Sequence, residues 1–221
     1  MTEEKEQSGW KSEKLFLLTI AILLLIFALF FIVQYLSRPE ILTVDEMHRR
    51  NLAGELDKDV PAYVHNGFSF VQYEGLWTTQ LYKQGIENIY NLQLHFGPRE
   101  VEDINLLGDP MPFLNVSGLY VTFDPLGRDL GHVALAAGEF SLITAKVLNI
   151  TPVPACTMRE TEVCKKVDIV QCGNTTKAVV YLREAEKAGV VVEGSCITIS
   201  GNQLDLVKAT DTLLLKWMRI I

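Results

Sequence analysis

Four cysteines and one charged loop are the residues whose types and spacing could do chemistry. The cysteines are Cys156, Cys164, Cys172 and Cys196, in the pattern C-x7-C-x7-C-x23-C. Zinc sites grip the ion with ligand pairs two to four residues apart, and redox motifs use C-x-x-C. Neither spacing is present, so the sequence points to no metal site. An even number of cysteines, all near one end, reads as a disulfide framework. Four cysteines allow three connectivities; joining Cys156 to Cys164 and Cys172 to Cys196 is the locally simplest.

The charged loop is DPLGRDLGH (124–132). It follows a strand-like segment and leads into a helical one, where free N–H groups at a helix start often meet ligands. Asp124, Arg128 and His132 are weak catalytic candidates there, offering acid, anion-binding and base groups. Simpler roles account for the same residues: Asp124 with Pro125 makes a turn, and Asp129 is an N-cap. No G-x-G-x-x-G, P-loop or G-x-S-x-G motif occurs, so no cofactor and no activated serine are expected. His48, His65, His95 and His132 are scattered, without an H-x-x-x-H pair. They read as hydrogen-bonded or surface histidines.

Composition narrows the partners. The chain has 221 residues, with 20 Lys plus Arg against 27 Asp plus Glu, a formal charge of -7. That balance disfavours nucleic acid, because binding phosphates needs clustered cations. Three N-x-[ST] patterns, at Asn115, Asn149 and Asn174, are candidate N-glycosylation sites. Chance would supply about one such pattern at this Asn content.

These residues hang from an apolar element. Leu15 to Val33 reads LFLLTIAILLLIFALFFIV, 19 residues without a charge. As a helix the run spans about 28 Å, matching a hydrocarbon core of about 30 Å. Lipid offers the backbone no partner, so the run must be helical. It is expected to cross the bilayer from Leu15 to Leu36. Trp10 and Lys14 anchor one end, Tyr35 and Arg38 the other, and Pro39 stops it. A cleaved signal peptide would have a shorter apolar stretch and a small-residue cleavage site. Lysines and arginines flanking the span tie at three each, so charge does not orient it. The cysteines and the glycosylation patterns, all downstream, point to an external C-terminal part.

The organisation expected is a cytoplasmic tail (1–14), a transmembrane helix (15–36), a helical stalk or linker (37–60) and an extracytoplasmic domain (61–221). The fold class is α+β: a mixed sheet, made of an antiparallel meander plus a strand-helix-strand unit, with helices packed on it. The stalk carries a T-x-x-E capping box at Thr43 and Glu46. FSFVQY (68–73), LWTTQLY (76–82) and IYNLQLHF (89–96) alternate as meander strands, with a turn at Glu74-Gly75 and another at KQGIEN. GPRE (97–100) closes the third of them and opens a helical turn. LYVTFD (119–124) is a buried strand. A helix over 130–148 has a polar stripe of His132, Glu139 and Lys146 and is expected to be buried between other elements. TPVPAC (151–156) is an edge segment because of its prolines. VDIVQ, AVVYL, GVVVEG and CITIS are further strands, with REAEKA (183–188) as a helical turn or hairpin loop. In the last helix (203–220), Leu206, Val207, Thr210, Leu213, Leu214, Trp217 and Ile220 face inward. Lys208, Asp211 and Arg219 face outward. One continuous sheet with helices on one face would bury both long helices.

Several strings together resemble a set of uncharacterised single-span membrane proteins of small-genome archaea. They are NGFSF (66–70), LWTTQ (76–80), HFGPREVEDI (95–104), YVTFDP (120–125), PACT (154–157), GSCITISG (194–201) and DLVKATDTLL (205–214). The resemblance implies an anchored envelope domain and transfers no catalytic residue. The expected function is a membrane-anchored extracytoplasmic binding or assembly module, non-enzymatic, with a protein or glycan partner and the lipid bilayer. The alternatives are an envelope enzyme using the 124–132 loop, or a cytoplasm-facing tethered domain.

Overall fold

The computed structural model describes residues 3–36, 42–82 and 89–221. The KQGIEN turn at 83–88, the Arg38 anchor, the Pro39 stop and the first residues of the expected stalk lie outside them. The chain divides into two compact units, Met1–Thr43 and Val44–Ile221. In the first unit, helix α1 (Glu3–Leu36) is continuous. Its Leu15–Leu36 portion is long and apolar enough to cross a membrane, and none of it is buried within the protein.

The second unit is α+β, as expected. Helix α2 (Val44–Ala53) starts it and packs on the first sheet. His48 is buried, with Nδ1 2.9 Å from Ser69 Oγ, and Asn51 donates to the same hydroxyl and to the Tyr63 carbonyl. The segment is therefore docked into the compact unit rather than standing apart as a stalk.

The first sheet is an antiparallel meander of β1 (Ala62–His65), β2 (Phe68–Tyr73), β3 (Leu76–Tyr82) and β4 (Ile89–Leu94). Both tight hairpins have positive φ at each central residue: Asn66 and Gly67 at 48° and 83°, Glu74 and Gly75 at 52° and 83°. That geometry follows the right-handed twist of the paired strands. β1 was not among the expected strands, although its Asn-Gly turn is the strongest short hairpin signal.

The second sheet has seven strands in the order β5-β10-β11-β9-β6-β7-β8. Here β5 is Leu106–Leu107, β6 Gly118–Phe123, β7 Thr151–Cys156, β8 Asp168–Ile169, β9 Val179–Glu184, β10 Gly189–Glu193 and β11 Cys196–Gly201. The expected single sheet is thus two: among the described residues β4 pairs with β3 alone, and no strand pair joins the meander to the seven-stranded sheet. β6, helix α3 (Leu130–Ile143) and β7 form the strand-helix-strand unit, with β6 and β7 parallel. Pro152 and Pro154 lie where β8 does not reach, since β8 pairs only with Ala155 and Cys156. REAEKA is neither helix nor hairpin loop. Arg183 and Glu184 finish β9, and the chain then passes over to β10, while β11 inserts between the two.

Helix α4 (Leu204–Trp217) and α3 pack on each other and against the second sheet. One core joins Phe70, Leu92 and Leu94 of the first sheet to Val180, Ile197 and Ile199 of the second. Trp217 is buried there and its indole N–H donates to the Pro110 carbonyl at 2.9 Å. A smaller cluster, Ala155, Val170, Val179 and Cys196 with Tyr181 packed against it, takes the alternate residues Val179 and Tyr181 of β9.

Two helix expectations need correction. α3 is buried on one side only: Val133, Ala136, Phe140 and Ile143 face the core, while Leu135 and Leu142 are exposed. It meets α4 and β9 along that side, and no second layer covers the other among the described residues. α4 is buried nearly all round, and Asp211, expected outside, is 0% exposed. α3 continues as a π turn, Thr144–Leu148. The Thr144 hydroxyl donates back to the Phe140 carbonyl at 2.8 Å, competing with the regular ladder.

Candidate functional site

A polar cleft of about 570 Å³ opens beside the end of β4, lined by Trp77, His95, Phe96, Arg99, Glu100 and Lys208 among others. Sequence reasoning did not single it out. β4 ends because the next two backbone N–H groups leave the strand ladder for side chains. His95 N–H donates to Glu139 Oε1 at 3.2 Å, and Phe96 N–H to Asp211 Oδ2 at 2.8 Å. His95 Nδ1 lies 2.5 Å from Glu139 Oε2. The acids come from α3 and α4, so three elements meet beneath one histidine.

The electrostatics there are unusual. The Glu139 side chain is 7% exposed and that of His95 is 30% exposed. Burial, then the charge of Glu139, pushes the Asp211 carboxyl well above the usual carboxylate range. Two adjacent buried carboxylates cannot both ionise cheaply, so Asp211 holds a proton while Glu139 faces the imidazole. A hydrogen bond from the protonated Asp211 to Glu139 favours the same state, and ionisation would set two like charges side by side in a buried place.

The cleft rim is pre-ordered as well. The Glu100 carboxylate accepts the Trp77 indole N–H and the Gly97 N–H, each at 2.6 Å. Gly97 leaves no room for a side chain: a Cβ would run into the Tyr63 hydroxyl and come within 3.3 Å of the Trp77 ring. Arg99 lies 4.0 Å over the Tyr63 ring, a cation-π contact. Burial pushes the Tyr63 hydroxyl up to about 12, so it stays neutral. Lys208 pairs with Asp103 at 2.8 Å on the far wall. The arrangement presents an oriented imidazole, a guanidinium and an indole to one polar space.

The expected loop is placed differently. Asp124 Oδ1 accepts the Leu126 N–H at 2.9 Å, so its carboxylate makes the anticipated turn. Arg128 is exposed. His132 Nδ1 lies 2.8 Å from Asp129 Oδ1. Asp129 holds the N-cap position but makes no side-chain cap, because its carboxylate faces His132 instead. Glu184, at the end of β9, organises the loop: its two oxygens accept the N–H groups of Arg128 and Asp129 at 2.9 and 2.5 Å. Asp124, Arg128 and His132 line neither the polar cleft nor a second, more apolar hollow of about 460 Å³ bordered by Val101, Ile104 and Leu106.

The cysteines pair as Cys156–Cys164 and Cys172–Cys196, with Cα atoms 5.7 and 5.6 Å apart. Among the described residues, no cluster of His, Cys, Asp or Glu is arranged to hold a metal ion. An apolar N-terminal helix followed by a disulfide-bonded domain marks a membrane-anchored or secreted protein. Comparison with protein-family models, curated proteins and solved structures finds no match to this chain.

Proposed function

We propose that the protein is a membrane-anchored, extracytoplasmic binding module whose ligand or partner engages the cleft at Trp77, His95 and Arg99. The observation that carries the reading is the pairing of all four cysteines downstream of an unburied apolar helix. Disulfides persist outside the reducing cytosol. Leu15 to Leu36 is the lipid contact in this reading, with a short cytoplasmic N-terminus.

Crosslinking in intact membranes, followed by capture of the full chain, tests it. A single stoichiometric protein or glycan should be recovered. W77A and R99A should abolish recovery, whereas D124A and H132A should not. Thiol labelling of whole cells reads topology separately: reducible disulfides open to external reagents support the placement, and free shielded thiols reverse it.

A second reading, an envelope enzyme, has one observation in its favour: His95 is oriented by a buried carboxylate, as general bases are. The two readings separate on H95Q. A binding module loses affinity and shows no turnover before or after the change, whereas a base-dependent reaction falls by about 100-fold or more in kcat with substrate binding largely kept.

A further inference from the structure

We propose that the chain carries N-linked sugars on Asn115, Asn149 and Asn174, and that they crowd one edge of the seven-stranded sheet. This rests on the extracytoplasmic reading. The sequence supplies three acceptor patterns; the fold brings them together. Asn115 precedes β6, which begins at Gly118; Asn149 precedes β7, which begins at Thr151; Asn174 lies in the loop before β9, which begins at Val179. β7, β6 and β9 are neighbours and mutually parallel. Their starting ends therefore share an edge, about 10 Å across at ordinary strand spacing. Two direct links tie the loops: Thr151 N–H donates to the Ser117 carbonyl at 3.0 Å, and Tyr120 N–H to the Ala178 carbonyl at 2.9 Å.

Each acceptor is also available. Asn115, Asn149 and Asn174 are exposed, as are the hydroxyl residues Ser117, Thr151 and Thr176. Among the described residues, Asn174 uses only Oδ1, which accepts the Gln171 N–H at 3.0 Å. Its Nδ2, the atom that would take the sugar, is left over. Asn51 and Asn66, which lack the pattern, commit that nitrogen to internal carbonyls instead. Transfer needs a lipid-phosphate-linked oligosaccharide as donor. Asn Nδ2 bonds to its anomeric carbon, the bond from that carbon to the phosphate oxygen breaks, the lipid phosphate leaves and the amide loses one proton. Sugars on this edge would cover Lys177 and the Cys172–Cys196 bridge. The other ends of the same strands, with the Glu184-bound loop and Lys187, would stay bare for protein contact.

The test uses the full chain isolated from the membranes of the cells that make it. Glycopeptide mapping should find two or three occupied sites, and the variant at each occupied one (N115Q, N149Q or N174Q) should lose one mass step. Enzymatic removal of sugar should raise amine labelling of Lys177 and leave Lys187 unchanged. Fewer than two occupied sites on a domain that external protease reaches overturns this inference and leaves the placement standing. Occupied sites with Lys177 labelling unaltered overturn the crowded edge. A bare chain that external protease never touches overturns the placement and the sugars together.

Discussion

The main-chain N–H of Phe96 donates to Asp211 Oδ2 at 2.8 Å, joining residues 115 apart in sequence. With Glu139 holding His95, this contact fixes the turn out of β4 to both long helices. The floor of the cleft is thus set by acids that the surrounding apolar packing does not require. Burying such groups costs several kcal/mol per charge before pairing.

The titration of Asp211 has a definite sign. Its folded-state pKa lies above the unfolded value, so the native protein holds a proton that the unfolded chain has released. Stability falls as pH rises from about 4 through the folded pKa, and is level above it. D211N keeps an acceptor for Phe96 N–H and should flatten that slope. D211A also removes the slope; it should cost about 1–3 kcal/mol near pH 4 by leaving the N–H unpaired, and less as pH rises and the native carboxyl is forced to ionise. Urea unfolding between pH 4 and 8 checks both.

Glu184 should matter more to the 124–132 loop than the loop's own charges. E184A leaves two backbone N–H groups without acceptors and should cost about 2 kcal/mol. R128A should change stability by less than about 0.5 kcal/mol, as an exposed side chain does. Thermal melts of the two variants decide the ranking; equal losses would contradict it.

The two disulfides should differ in lability and in worth. Cys172 is exposed, whereas Cys156 and Cys164 are 1% and 0% exposed. Mild reductant should open Cys172–Cys196 first, as read by differential alkylation and mass spectrometry. The bridged residues are 24 apart in that pair and 8 apart in the other. Chain-entropy arguments then make the longer bridge about 1 kcal/mol more stabilising.

Two glycines should respond oppositely to alanine. Gly138 lies within α3 with nothing inside 4 Å of an added Cβ. G138A should raise stability by about 1 kcal/mol through helix propensity. At Gly201, where β11 turns into α4, a Cβ would stand 2.6 Å from the Asp205 carbonyl carbon. G201A should destabilise by about 1–3 kcal/mol or more, since backbone must shift. Chemical denaturation of both proteins gives the answer.

Local pattern carried most of the elements. Alternation located β2 and β3 to the residue, and the end of β4 was missed by two residues because side chains, not sequence-local turns, stop it. The apolar face of α4 was legible from helical spacing, and so was the burial of Trp217. Asp211 was not: one carboxylate on a polar stripe has the same spacing whether water or Glu139 stands opposite. The cleft was illegible for the same reason, as its lining comes from β2, β3, the segment after β4 and α4. Pairing across long sequence gaps also hid the division into two sheets. The local cysteine pairing, one of three open choices, is the one the structure contains.

β11 occupies an interior place in its sheet, between β9 and β10, yet it is the last strand in the sequence. β9 and β10 therefore cannot join one sheet until residues 196–201 lie between them. Until then the facing edges of β9 and β10 are bare backbone, able to recruit a neighbour's strand. Cys196 arrives with that strand, so its bridge to Cys172 locks the slot once it is filled.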